Sequence, residues 1–253
     1  MSKNLATGNF ADRNIQFSII FDLVLAMTLD MPIISIDCKK KEVLGNLYRS
    51  GKCYVQGELQ VYDHDYPHLA EGKVVPHGIY DLQRNEGYIT IGTSHETASF
   101  ITDNLEWWWL NYGIQQYPEA KNILVFCDAG GGNCYRHHIF KKKLLELADK
   151  IGKTLTICHY PPYSSKWNPI EHRLFAHVHL AMQGVILDSY ETVKKLIDNT
   201  TTTKGLKVVS RIVDKKYPIG EKVNKKEIEY HRIQFNQVLP QLSYVINLKS
   251  ELI

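Results

Sequence analysis

The chain has 253 residues, 44% of them hydrophobic and 23% charged, which is enough apolar material for a sizeable core and too much for a disordered chain. A net charge of +3 permits a polyanionic partner without demanding one, so any nucleic-acid surface has to come from local clustering of Lys and Arg. Five cysteines, an odd number with no C-x-x-C pair, argue against a disulfide framework and for a reducing cytoplasm.

The polar start, MSKNLATGNFADRN, lacks the basic-then-apolar layout of a signal peptide. Asp22 and Asp30 interrupt the apolar run that follows, short of the roughly 18 residues a membrane span needs, so that run is expected in a core. Its apolar residues Phe17, Ile20, Leu23 and Leu25 recur at helical spacing, and Pro32 then introduces IISID and the alternating EVLGNLY as a strand and its hairpin partner. A long polar loop is expected over 49–75, followed by strands in HGIYDLQRN and GYITIGTS with a bend at Asn85 to Gly87. Ser94 is the expected cap of a helix that ends before Pro118. NILVFCD reads as a buried strand, AGGGN as a loop, HIFKKKLLELADKIG as an amphipathic helix stopped by Gly152, and TLTICHY as another strand. In YPPYSSKWNPIEHRLF, Pro169 stands where helices accept proline, at the first position.

Early strands with short links form an antiparallel meander, whereas the later alternation of strand and helix needs parallel neighbours with crossovers. That order predicts an α/β fold of the RNase H-like, retroviral integrase-like kind: a mixed five-stranded sheet flanked by helices. A doubly wound nucleotide-binding fold would want helices between the early strands. The expected division is a helical lead-in over 1–31, a core over 32–190 and an extension over 191–253 packed on that core.

Three acids stand out by position. Asp37 closes the first strand, Asp128 closes NILVFCD, and Glu171 lies in the first turn after Pro169. In this topology the first strand and NILVFCD are neighbours, so the two aspartates project from one end of the sheet while the incoming helix brings Glu171 to them. Clustered carboxylates repel and are costly to desolvate unless a hard cation neutralises them, which predicts Mg²⁺ or Mn²⁺, two ions, held by Asp37, Asp128 and Glu171. Such a pair performs phosphoryl transfer on nucleic acid. Each acid alone is more often a cap or a solvated group; the three positions together carry the prediction.

PPYSSKWNPIEHRLF resembles the third-acid motif of DDE transposases of the mariner and insertion-sequence groups. IDCKKKEVLGN and FCDAGGGNCYR resemble the first- and second-acid motifs of the ISAzo-type bacterial insertion-sequence transposases. YDLQRNEGYITIG, TTTTKGLKV and KKYPIGEKV extend the resemblance to roughly residues 8–235. It implies a Mg²⁺-dependent polynucleotidyl transferase that nicks element ends and joins the freed 3′-OH to target DNA. It also implies a homo-oligomer assembled on DNA, with no membrane partner, in the bacterial cytoplasm and on the nucleoid when bound. Members usually begin with a helix-turn-helix region that recognises the terminal repeats; this sequence starts almost at the catalytic region, so that region is expected to be missing. The alternatives are a metal-dependent nuclease that does not join strands and a catalytically silent DNA-binding remnant.

Lys39, Lys41, Asn133, Lys166 and Arg173, flanking the three acids, are the expected DNA contacts. AGGGN lacks the G-K-[ST] ending of a P-loop, so its glycines are expected to bring DNA or metal close to the backbone. Consecutive Trp107, Trp108 and Trp109 point in different directions on a helix, so most of that run is expected to pack in the core. Asp63, His64, Asp65 and His68 resemble metal ligands without a zinc spacing, and Lys141 to Lys143 read as a solvated helix face.

Overall fold

The computed structural model describes residues 10–52, 54–63, 66–162 and 164–249. After α1 (Phe10–Ala26), Pro32 leads into β1 (Ile33–Cys38), where Ile33, Ile34 and Ile36 are buried and alternate between the two faces of the sheet. β2 (Glu42–Leu44), β3 (Gly72–Asp81) and β4 (Glu86–Gly92) follow, and Asn85, at φ 55, makes the tight β3–β4 turn. α2 (Ala98–Trp108) runs through a π-helical turn, Trp109–Gly113, into α3 (Ile114–Gln116). Then come β5 (Asn122–Cys127), α4 (His138–Ile151) ended by left-handed Gly152, and β6 (Thr154–His159). A second π turn, Glu171–Phe175, opens α5 (Ala176–Ala181); α6 (Tyr190–Asp198), β7 (Lys207–Val213), β8 (Ile233–Phe235) and β9 (Ser243–Ile246) complete the chain.

The strands lie side by side in the order β7-β4-β3-β1-β5-β6-β9-β8. β1, β3 and β4 form the antiparallel meander, and β1, β5 and β6 are parallel with helical crossovers. These five strands are the middle of the sheet. The segment after α6 widens it at both edges, β7 parallel on β4 and β9 antiparallel on β6. One face, built on Ile34, Ile36, Ile79 and Val125, packs against α2 and α4. The other is divided: Tyr80, Ile89 and Ile91 lie under the α5 and α6 region, while Ile33, Leu124 and Phe126 lie under α1.

Several local expectations are corrected. β1 and β2 do not pair with each other; both lie along β3, β1 on residues 77–81 and β2 on 72–74. Thr97, not Ser94, caps α2: its side chain accepts from Phe100 N, while Ser94 Oγ donates to Lys215 O. The tryptophan run, by contrast, packs as expected: Trp108 and Trp109 are buried, and Trp107 packs at the edge of the same cluster with the Arg211 guanidinium 4.2 Å from its ring. Lys141 is buried, donating to Tyr135 O, so the lysine run is not one solvated face. Of the Asp63 to His68 group, His64 and Asp65 lie outside the described residues. Among the described residues no helix is long and apolar enough to cross a membrane.

Candidate active site

β1 and β5 run parallel with Ile36 opposite Cys127 as their last paired rung, so Asp37 and Asp128 follow it directly at the carboxyl ends of two neighbouring central strands. Glu171 is delivered from the opposite direction in sequence. Pro161 and Pro162 end the β6 region, Asn168 accepts a backbone bond from Glu171 N, and Pro169 begins the helical turn. The π turn at Glu171–Phe175 seats this segment closely on the sheet, as such turns often do at functional sites. Gly78, the cross-strand partner of Asp37, makes that approach possible: a Cβ there would lie 2.6 Å from Phe175 Cε1 and 3.0 Å from Ile170 Cδ1.

The three carboxylates feel one another. Burial first, then the charges of Asp128 and Glu171, push the Asp37 carboxyl up to about 8. Burial also raises Glu171, which lies within hydrogen-bond reach of Asp37, and the Asp128 charge adds to the effect. Asp128 Oδ1 is buried with no hydrogen-bond partner. A carboxylate oxygen without a donor, beside two more carboxyl groups, suits a cation. Among the described residues no group of three or more His, Cys, Asp or Glu side chains is arranged around a single metal position.

Two polar residues of this site were not foreseen. Asn168, fully buried, donates from Nδ2 to Asp37 Oδ2 at 3.3 Å and accepts from the Ser35 hydroxyl, tying the start of the Glu171 segment to β1. In the sequence it is visible only as a turn former before Pro169. Glu96, just ahead of the α2 cap, is a fourth carboxylate close enough to raise Asp37 further. Its Oε1 accepts from Gly132 N at 3.2 Å, and Lys41 Nζ stands 4.0 Å from its Oε2. No motif marks it, because its proximity arises only when the loop after Asp128 folds back on α2.

The glycines of that loop also let it pack closely. Gly131 sits at φ +59 with Glu96 Oε1 against where a Cβ would be, and a Cβ on Gly132 would meet Ile101 and the Thr97 backbone. Both bring the loop against α2, and both line the larger cleft described below. Gly130 lies beside Asp128, with Oδ2 3.2 Å from its Cβ position.

The expected DNA contacts divide. Lys39 is buried, its ammonium 2.5 Å from Glu42, whose other oxygen holds Arg49 at 2.6 Å. Asn133 is 3% exposed inside the loop. Neither side chain is presented to a phosphate backbone, because each is enclosed by its own neighbourhood. Lys41, Lys166 and Arg173 are on the surface, Lys166 with its ammonium 5.2 Å from the Trp167 ring. A residue not foreseen, Arg136, borders two clefts. One, of about 280 Å³, opens beside Asp128 between Tyr135 and Pro161; the other, of about 710 Å³, runs past Lys41, His137 and Lys222.

The family model described as the Rhodopirellula transposase DDE domain matches residues 1–248. Among solved structures, the chain is similar to the Mos1 transposase paired-end complex with left transposon end, at 19% identity and a TM-score of 0.50, over 78% of this chain and 59% of that one. It is also similar to the Mos1 mariner paired end complex with Mn, at 17% identity, a TM-score of 0.48 and the same coverage. The first likeness shows the fold, RNase H-like, and this chain spans about three-fifths of the length of the Mos1 chain. No curated protein matches it.

Proposed function

Because the chain belongs to the Rhodopirellula transposase DDE domain family, we propose that Asp37, Asp128 and Glu171 form the metal-holding centre of an enzyme that cuts and joins DNA strands. The observation that carries this reading is the convergence of the three carboxyl groups at one rim of the sheet, with a buried, partnerless oxygen on Asp128. Asp37, Asp128 and Glu171 would together hold divalent cations, Mg²⁺ or Mn²⁺, two in number. Bound there, the cations would activate a water or a 3′-hydroxyl on one side of a phosphodiester and stabilise the departing oxygen on the other.

The chain's own groups supply the rest. Asn168 Nδ2 donates to Oδ2 of Asp37 and the Cys38 N–H donates to its Oδ1, which together fix the carboxyl plane of the first acid. Phe175 and Ile170, packed over Gly78, keep water from beneath the carboxylates and fix the depth of Glu171. Arg136, Lys41, Lys166 and Arg173 offer charge along the approaches to the acids, as a DNA backbone requires. Residues 32–190 are the catalytic core, and β7, β8 and β9 of the extension that follows complete its sheet. A DNA substrate places the working protein on the bacterial nucleoid, as a homo-oligomer that holds paired ends.

The test is a nicking and joining assay on element ends with Mn²⁺, comparing wild type with Asp128→Asn. Joined product from wild type and none from the variant is expected. Hydrolysis without joining would favour a nuclease, and equal inertness of the two proteins would favour a silent DNA-binding remnant.

A further inference from the structure

His159 closes β6, is fully buried, and takes no part in the chemistry above. Its Nδ1 lies 2.9 Å from the backbone oxygen of Asp128 and 3.2 Å from Cys127 Sγ, and its Nε2 lies 3.1 Å from the Tyr244 hydroxyl. A carbonyl oxygen can only accept, so Nδ1 carries the proton. Nε2 is then an acceptor, and the Tyr244 hydroxyl must donate to it. The direction of donation is fixed along the whole line, from Tyr244 to His159 to Asp128.

The main chain of His159 is gripped as firmly. Its N–H donates to Leu242 O at 2.7 Å, and its carbonyl accepts from Gln16 Nε2 at 2.8 Å. Gln16 Nε2 also lies 3.0 Å from Ser243 Oγ, so α1 and the start of β9 meet on one buried residue. The paired register of β5 ends at Cys127, which leaves Asp128 one residue beyond the ladder, with the imidazole holding its carbonyl.

We propose that His159 is the positioning residue of the second acid: locked as the Nδ1–H form by Tyr244, it fixes the Asp128 peptide and so aims the carboxylate whose Oδ1 has no protein partner. The proposal rests on the reading of Asp128 as a cation ligand. Loss of groups that orient a metal ligand costs about 10–100-fold in metal affinity. Tyr244 acts one step further back and through a backbone oxygen, so a loss of about 3–10-fold is expected.

Two measurements test it. ¹⁵N NMR of the metal-free protein with labelled histidine is expected to show His159 protonated at Nδ1 and bare at Nε2; protonated Nε2 overturns the proposal. Tyr244→Phe removes the hydroxyl and keeps the ring. Its Mn²⁺ affinity by calorimetry is expected to fall about 3–10-fold, with metal-free duplex DNA binding unchanged. Phe235→Leu trims a ring packed 5.9 Å from that of Tyr244 without touching His159, and is expected to keep wild-type Mn²⁺ affinity. Equal affinities in wild type and Tyr244→Phe, or an equal loss in Phe235→Leu, overturn the proposal. Wild-type protein that binds no Mn²⁺ would overturn the reading of the acids, and the proposal with it, whatever the NMR result.

Discussion

Asn168 Nδ2 donates to Asp37 Oδ2 at 3.3 Å while its own oxygen accepts from the Ser35 hydroxyl, so the residue that starts the third acid's helix also holds the first acid. Asn168→Ala leaves two polar groups of β1 without that partner, at a cost of about 1–3 kcal/mol. Strand nicking is expected to fall at least about tenfold, beyond what the lost stability explains, since the rate responds steeply to misplacement of a ligand. Asn168→Asp is expected to be worse, because it adds a negative charge beside Asp37. Denaturant titration and single-turnover nicking on the same samples separate the two effects.

Gly78→Ala tests the seat of Glu171. In an ordinary strand alanine is favoured over glycine by about 0.5–1 kcal/mol. Here the new Cβ would lie 2.6 Å from Phe175 Cε1. Overpacking of this kind costs about 1–3 kcal/mol, and the displaced helix takes Glu171 with it. A lower melting temperature together with weaker Mn²⁺ binding is expected; a variant more stable than wild type would contradict the packing described.

The pH dependence of the metal-free protein follows from Asp37. Its carboxyl is raised from 3.8 to about 8 on folding, so between those values the folded state holds a proton the unfolded state has lost. Stability from this group is present below pH 4 and is lost as pH rises toward 8, at up to about 1.4 kcal/mol per pH unit. His77 and His159, lowered by burial to about 3 and about 4, act in the opposite sense below pH 6.5, where they weaken the fold as acid protonates the unfolded chain. Above pH 6.5 the two histidines drop out, and comparison with Asp37→Asn separates Asp37 from the other carboxyls that burial raises, Glu171 and Asp81. Wild type is expected to lose stability from pH 6.5 to 8 relative to Asp37→Asn.

Asp128→Asn is expected to abolish activity and yet stabilise the metal-free protein, by on the order of 1 kcal/mol, because it removes one charge from a crowded set. Mn²⁺ should raise the melting temperature of wild type, as binding to the folded state alone requires, and leave that of the variant almost unchanged. Thermal scans with and without the ion decide it.

The lysines divide by role. Replacing Lys39 by Ala breaks the buried contact with Glu42 and should lower stability while leaving the salt dependence of DNA binding unaltered. Replacing Lys166, Arg173 or Arg136, each exposed, should reduce the slope of log affinity against log salt by about one. Anisotropy titrations across a salt series read that slope.

The five central strands and the three acids could be read from the chain because their signals are local: alternation in IISID, the buried run NILVFC, and proline at the first helical position before Glu171. What could not be read depends on contacts made at a distance. Lys39 looked like its neighbours Lys40 and Lys41, and only the return of Arg49 to Glu42 buries it. Glu96 is unremarkable in SHET until Gly132 is folded against it. β7 and β9 alternate too weakly to announce which edge each will join, since their partners lie more than a hundred and about ninety residues upstream, respectively.

The placement of β7 and β9 bears on how the molecule is made. Both flanks of the central sheet stay open until residues 207–246 have emerged from the ribosome, although the strands that carry Asp37 and Asp128 are complete long before. Nascent chains therefore carry bare, hydrogen-bond-hungry borders at β4 and β6 during translation. A stalled or prematurely stopped product would be left sticky, and holding chaperones would be expected to engage it at those two seams.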